Sequence, residues 1–281
     1  MQKTLESFPK YHFLGIEVAP LTKDDLLAVI NSAVDANEVN CIIGNHNLHS
    51  LYLQQHDEQM RLFYNRARYV HVDGMSLIYL ARLLGLPLNG VHRTAYLDWF
   101  DDFLHIAMRN AWRLYFLGGT PELASVIPVF LTSRYASLQI RTHHGYNAFE
   151  NRESIFAEIE EYHPHVAIIG MGMPLQEKWI LQALERIQVH VLLPCGGTMD
   201  YYIGVQDAAP RWIGSVGLEW LYRLVKSPSR LHHRYLVEPW SLMPMIFKEL
   251  LEKTSHAHKY RKDLHPESAP GQRSHSDSQT V

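Results

Sequence analysis

Val166-Ala-Ile-Ile-Gly-Met-Gly-Met-Pro-Leu-Gln-Glu-Lys-Trp179, followed shortly by Val189-His-Val-Leu-Leu-Pro-Cys-Gly-Gly-Thr-Met-Asp200, decides the fold. Each stretch opens on a continuous apolar run, reaches a glycine-bearing turn, and gives way to residues suited to a helix. Uninterrupted apolar runs are what a strand needs when both faces of its sheet are covered. The same rhythm recurs at Cys41-Ile-Ile-Gly44, Tyr69-Val-His-Val72, Trp112-Arg-Leu-Tyr-Phe-Leu117 and Leu138-Gln-Ile-Arg-Thr142. Helical patterns lie near 22–35, 57–67, 75–85, 95–110, 121–135, 151–162 and 175–186, and Thr22 with Asp25 is placed as a helix start. The alternation predicts an α/β chain built on a mostly parallel sheet with helices on both faces.

Hydrophobic residues make up 47% of the 281 residues, enough for a substantial core. The net charge of −3 gives no reason to expect nucleic acid as a partner, so any cationic site is local. Gly217-Leu-Glu-Trp-Leu-Tyr-Arg-Leu-Val-Lys-Ser-Pro-Ser-Arg-Leu-His-His-Arg-Tyr235 supplies one, with Arg223, Lys226, Arg230 and Arg234 set among Trp220, Tyr222 and Tyr235. Cations spaced along an aromatic segment suit phosphates and a membrane surface. The α/β domain is therefore expected over 1–208, with a helical basic C-terminal appendage over 209–253. Residues 254–281, rich in Ser, His, Lys and Pro, read as a disordered tail.

The two cysteines, Cys41 and Cys195, sit inside apolar runs without metal-type spacing, which fits a reducing compartment. Met1-Gln-Lys-Thr-Leu-Glu-Ser7 has no apolar signal core, and no window approaches eighteen consecutive apolar residues. A cytoplasmic protein that touches a membrane peripherally is the expectation. The 18 histidines show no zinc-protease spacing, so no metal site is expected.

Five strand ends carry small or polar residues: Asn45-His-Asn47, Asp73-Gly74, Gly118-Gly119, Gly170-Met-Gly172 and Gly196-Gly197. Ligands of open α/β sheets bind at such ends, which predicts one shared cleft. In Leu117-Gly-Gly-Thr-Pro-Glu122, Thr120 suits an N-cap and Pro121 the first helical position; the turn either binds phosphate or simply joins strand to helix. Asp73 reads either as a general base or as an N-cap. Asn45 and Asn47 either orient sugar hydroxyls or close a turn. Gln176 and Glu177 either offer a donor–acceptor pair or form a solvated first turn.

Taken in order, Val72-Asp-Gly74, Arg93 with Asp98, Leu117-Gly-Gly119, His144-Gly-Tyr146, Gly170-Met-Gly-Met-Pro-Leu-Gln-Glu-Lys-Trp179, Gly196-Gly-Thr-Met-Asp200, Ala209-Pro-Arg-Trp212 and Gly217-Leu-Glu-Trp-Leu-Tyr-Arg223 make a specific pattern. The chain resembles the WecG/TagA/CpsF family of bacterial glycosyltransferases over roughly residues 12 to 240. The resemblance implies a Rossmann-like fold and an inverting, metal-independent enzyme without cofactor. It implies a UDP-sugar donor, a polyprenyl-diphosphate-linked saccharide acceptor at the inner membrane surface, and a place in exopolysaccharide, teichoic acid or surface-antigen synthesis. The family's base falls on Asp73 and its strand-end motif on Asn45 and Asn47. Its lipid-diphosphate arginines fall on Arg223, Arg230 and Arg234. Arg93, Gly118, Gly119, Gly172, Gln176, Glu177, Gly196, Gly197, Asp200 and Arg211 complete the expected substrate contacts.

Three positions depart from the pattern: Asn45 replaces a Thr, Tyr96 a Gly, and Ala208 an Arg for which Arg211 or Arg93 substitutes. These departures keep a second reading in view, a catalytically impaired nucleotide-sugar-binding protein. A nicotinamide-dependent oxidoreductase is a third, against which the absent G-x-G-x-x-G speaks. A homo-oligomer is compatible with any of them.

Overall fold

The computed structural model describes residues 8–264. The chain divides into two compact units, Met1–Leu242 and Met243–Val281. In the second, the backbone is helical as far as Leu264. The tail expected from residue 254 lies mostly outside the described residues.

The first unit is built on a six-stranded, wholly parallel sheet. Its strands are β3 (Cys41–His46), β4 (Tyr69–Val72), β5 (Arg113–Gly118), β6 (Gln139–His143), β7 (Val166–Gly170) and β8 (Val191–Pro194), in the order β4-β3-β8-β7-β5-β6. All six apolar runs of the sequence are strands. Alternate side chains serve opposite faces. Cys41, Ile43, Leu114, Phe116, Val166, Ile168, Val191 and Leu193 join one core with Trp99, Phe100 and Phe103 of helix Tyr96–Arg109 and Leu26 and Ile30 of helix Lys23–Asp35. On the other face Gly44 lies under Phe63 and Tyr64 of helix Glu58–Arg66; a Cβ there would stand 3.2 Å from the Phe63 ring. Trp179 of helix Leu175–Ala183 is fully buried.

Local chemistry sets the helix starts. Thr22 and Asp25 form the anticipated capping box, and Thr120 caps helix Pro121–Arg134 by accepting from Leu123 N at 3.2 Å. Several elements go beyond the sequence reading, among them the short helices Gly90–His92 and Thr198–Tyr202 and two larger ones. One is an antiparallel hairpin, β1 (Tyr11–Phe13) with β2 (Ile16–Val18), closed by Leu14 and Gly15 at φ 50° and 88°. Its strands are too short to show a period. The other is helix Leu48–His56, which carries little apolar asymmetry and is announced only by the Asn47–Ser50 capping box. The appendage is helical, as Arg211–Ser215, Glu219–Lys226 and Pro228–His232, before the last helix begins at Glu238.

The interior of the sheet holds two neutral imidazoles. His46 Nδ1 lies 2.7 Å from Ser50 Oγ, and His71 Nδ1 lies 2.8 Å from Thr94 Oγ1. Burial lowers the pKa of each to about 3. In the unfolded chain an imidazole titrates near 6.5, so as pH falls below that value the unfolded state gains a proton that the native state refuses. Each buried histidine therefore takes away about 1.4 kcal/mol of stability per pH unit between about pH 6 and 4. Denaturant unfolding across that interval is expected to show that each unit of acidification costs His71→Phe less stability than the parent, by this amount; equal pH dependences would mean that His71 is protonated inside the fold.

Candidate active site

The carboxyl ends of β3, β4, β7 and β8 open into a cleft of about 440 Å³. Its walls include Asn45 and Asn47 after β3, Asp73 after β4, Gly172 and Gln176 after β7, and Cys195, Gly196 and Thr198 after β8. Residues 211–238 supply the opposite wall. Parallel strands point all their carboxyl ends the same way, so residues far apart in sequence converge there.

Asp73 is half-buried and faces both this cleft and a smaller adjoining cavity. It is not the cap of the following helix: Gly74 holds that position without a side-chain bond. Burial pushes its carboxyl up to about 6, and neighbouring Glu219 adds to the effect. Arg223, Arg93 and an Asn45 Nδ2 contact of 3.5 Å oppose it. The Asn45 backbone is pinned by Tyr64, whose hydroxyl donates to its carbonyl at 3.0 Å. Asn45 Oδ1 is buried without a partner. Asn47 spends its Oδ1 on Ser50 N at 3.1 Å and so caps helix Leu48–His56 while lining the cleft.

The floor is stitched by one side chain. Gln176 Oε1 accepts from Gly172 N at 3.2 Å and from Gly196 N at 2.9 Å. Both glycines are left-handed, with φ of 80° and 57°, a conformation that costs glycine nothing. Gln176 Nε2 in turn donates to Glu177 Oε1 at 2.8 Å. Glu177 is fully buried, and burial raises its pKa to about 7. The amides of Gly172 and Gly196 are thus already spent on Gln176.

Charge for an anion comes from the opposite wall. Arg93 Nη1 binds Asp98 at 2.6 Å and its Nη2 binds Glu219 at 3.2 Å. Glu219 also binds Arg223, and Asp98 binds Arg211. The guanidinium of Arg223 lies 4.9 Å from the centre of the Tyr201 ring. Arg230 is exposed, and Arg234 Nε is buried without a hydrogen-bond partner. The segment carrying these two is tied down by Glu238, whose carboxylate lies 2.6 Å from His49 Nδ1 and 3.5 Å from His233 Nδ1.

The structure thus brings Asn45, Asn47, Asp73, Gly172, Gln176, Gly196, Arg211, Arg223, Arg230 and Arg234 to one cleft. Arg93 borders only the smaller cavity. Tyr96 is a cleft wall, fixed by its hydroxyl donating to the Pro194 carbonyl at 2.7 Å. Gly118 and Gly119 lie outside the lining: a Cβ on Gly118 would stand 2.4 Å from Gly170 O, and one on Gly119 2.3 Å from Leu123 Cδ2. Their freedom serves close packing of β5 against β7 and of the turn onto its helix. Glu177 lies beneath Gln176, and Gly197 and Asp200 give way in the lining to Thr198 and Tyr201. Trp220, part of the aromatic segment expected to suit a membrane surface, has its ring 6.1 Å from that of Tyr235. Sequence reasoning passed over Glu219, Tyr201, His49 and Glu238. Among the described residues no group of three His, Cys, Asp or Glu side chains is arranged to hold a metal ion.

Comparison with known proteins agrees with this geometry. The family model for the glycosyl transferase WecG/TagA/CpsF family matches residues 11–256. A protein of Staphylococcus aureus (strain MRSA252), named N-acetylglucosaminyldiphosphoundecaprenol N-acetyl-beta-D-mannosaminyltransferase, is 30% identical over 172 residues, 61% of this chain and 66% of its own length. A protein of the same name from strain MW2 is 29% identical over 180 residues, 64% of this chain and 69% of its own. The matched stretch is thus about two thirds of each relative.

Removing the stitch tests the floor. In Gln176→Leu both glycine amides lose their acceptor, each at about 1–3 kcal/mol. Urea unfolding is expected to report a loss of about 2–5 kcal/mol; a loss below about 1 kcal/mol would show that the two turns hold themselves.

Proposed function

The chain belongs to the glycosyl transferase WecG/TagA/CpsF family, and we propose that it moves a sugar from a UDP-sugar to a polyprenyl-diphosphate-linked saccharide, with inversion at the anomeric carbon. The observation that carries this reading is Asp73: a carboxylate at a strand end, with a pKa of about 6, facing a wall of arginines. An acceptor hydroxyl titrates far above neutral pH, so it attacks well only if its proton leaves as the new bond forms. A base works best when its pKa is near the working pH, because it is then ionised and still proton-hungry. Burial and Glu219 bring Asp73 to that condition.

In the proposed step the acceptor oxygen bonds to the anomeric carbon as the bond to the UDP oxygen breaks. The acceptor proton passes to Asp73 and then to solvent. UDP departs with the bonding pair, and its charge falls to guanidiniums rather than to the glycine amides, which Gln176 occupies. Fixed cations need little reorganisation as charge develops. Arg223 and Arg211 are held in place by carboxylates; Arg230 and Arg234 have no ion pair among the described residues. Two diphosphates need cations here, the donor's and the carrier's, and bidentate guanidiniums match both. The relatives' names specify an N-acetylmannosaminyl group and N-acetylglucosaminyl-diphosphoundecaprenol. The acceptor class carries over in this proposal, and the donor is a UDP-linked hexose or hexosamine.

The carrier's lipid stays in its bilayer, so the enzyme must come to it. No helix among the described residues is long and apolar enough to cross a membrane. Trp212 and Trp240 are 67% and 74% exposed, and Leu221, Val225, Leu236 and Val237 are exposed with them. Aromatic and apolar side chains of this kind, beside cations, suit peripheral attachment to the inner membrane surface.

Asp73→Asn is expected to lower kcat by about 10²–10⁴-fold while UDP-sugar binding persists. The parent's kcat/KM should rise about tenfold per pH unit up to about 6 and then level, because only the ionised base works. An active Asp73→Asn enzyme would place the base elsewhere. Binding to vesicles rich in anionic phospholipid should weaken as salt rises from about 0.1 to 1 M, and Trp240→Ala should weaken it further; a salt-independent signal would leave the charged surface without this role.

A further inference from the structure

We propose that the smaller cavity beside Asp73 is the seat of the acceptor's sugar ring, with Trp220 as its stacking platform. The proposal rests on the transferase reading above and adds where the acceptor lies and what recognises it.

Inverting displacement constrains the site. The attacking oxygen, the anomeric carbon and the departing oxygen lie in line, so donor and acceptor sit on opposite sides of the carbon. The base touches only the acceptor. Such a site needs two compartments that meet at the base. The two cavities meet there: Asp73 lines both, and the boundary they share also includes Asn47, His49, Glu219, Arg223, Arg234 and Tyr235.

The compartments differ in chemistry. The larger one carries Tyr96, Thr198, Tyr201, Arg211 and Arg230, with room for a nucleotide and its diphosphate. The smaller one adds Gly74, Ser76, Gly214, Gly217 and Trp220. Trp220 and Tyr235 present rings 6.1 Å apart at an interplanar angle of 56°. Aromatic faces beside a hydroxyl, and glycines that let backbone approach closely, suit a pyranose: its C–H face lies on a ring and its hydroxyls bond at the edge.

The platform is held in place. A Cβ on Gly214 would stand 2.8 Å from Arg93 Nη2, and one on Gly217, whose φ is 80°, would stand 3.1 Å from both Met75 Cβ and the Tyr79 ring. The turn before Trp220 therefore lies tightly on Arg93 and on helix Met75–Leu83. Glu219, next to Trp220, is clamped between Arg93 and Arg223. Trp220 is half-buried, unlike the exposed Trp212 and Trp240. That burial fits a site wall better than a membrane anchor.

The test compares Trp220→Ala and Trp220→Phe with the parent in three assays. They are UDP affinity by calorimetry, KM for N-acetylglucosamine joined through diphosphate to a short soluble alkyl chain, and inhibition by the same alkyl diphosphate without sugar. Trp220→Ala is expected to raise the acceptor KM at least about tenfold, the effect of losing about 1.4 kcal/mol of stacking, with most of it restored in Trp220→Phe. UDP affinity and inhibition by the sugarless diphosphate should not move. Ser76→Trp, which fills the same cavity from its exposed rim, should raise the acceptor KM likewise and guards against a misfolded Trp220 variant. A fall in UDP affinity would assign the cavity to the donor, and an equal loss of inhibition by the sugarless diphosphate would assign it to the carrier. An unchanged acceptor KM in an active enzyme would overturn the subsite alone. A parent that binds UDP but transfers no sugar to this acceptor would overturn the transferase reading, and the subsite with it.

Discussion

Glu219 holds the site together. Its carboxylate binds Arg93, which follows the strand layer, and Arg223 on its own helix. Arg93 passes the link to Asp98, and Asp98 to Arg211. This chain of alternating charges fastens residues 211–223 across the carboxyl ends of the sheet. Partly buried charges of this kind survive only when each is partnered, and removing one member leaves the others exposed to the full desolvation cost. Without the fastening, residues 211–223 lose their link to Arg93 and Asp98, and Asp73 loses part of its cover from water. The same carboxylate also raises the pKa of Asp73. One residue thus helps shape the cleft and, after burial, adds to the proton affinity of Asp73.

A second constraint runs beneath the first. Gln176 makes the turns after β7 and β8 one surface by accepting from both Gly172 and Gly196. Glu177 completes the arrangement from below, where its burial favours the neutral form. Such a floor spends these two backbone donors on its own glutamine. In the proposed reaction, recognition of phosphate then falls to side chains of the appendage: the sheet supplies Asp73 and the floor, and the appendage supplies most of the cations that line the cleft.

How much of this could be read from the sequence depended on whether the signal was local. All six sheet strands were legible, because a buried parallel strand is a continuous apolar run. The hairpin at 11–18 was not, since three-residue strands show no period, and helix Leu48–His56 was missed because its faces are alike in polarity. Asp73, Asn45 and the arginines were legible as residues of unusual type at strand ends or along an aromatic segment. Glu219 was not: on its helix it looks like an ordinary first-turn acid, and its partner Arg93 is 126 positions away. Gly172 and Gly196 were legible as cleft residues, but nothing in a glycine turn says that its amide donates to a side chain such as Gln176. At Gly118 and Gly119 the glycine answers a neighbour's bulk, which the strand-end pattern did not reveal.

Gathering carboxyls and imidazoles into one dry interior also affects the molecule as a whole. Asp73 and Glu177 take up protons natively at milder acidity than an unfolded chain does, while His46 and His71 decline protons that an unfolded chain accepts. Between about pH 4 and 6 the two pairs therefore tilt the folding equilibrium in opposite senses with similar steepness. At these four groups, then, the acids of the cleft and its floor act against the bases that the core keeps neutral.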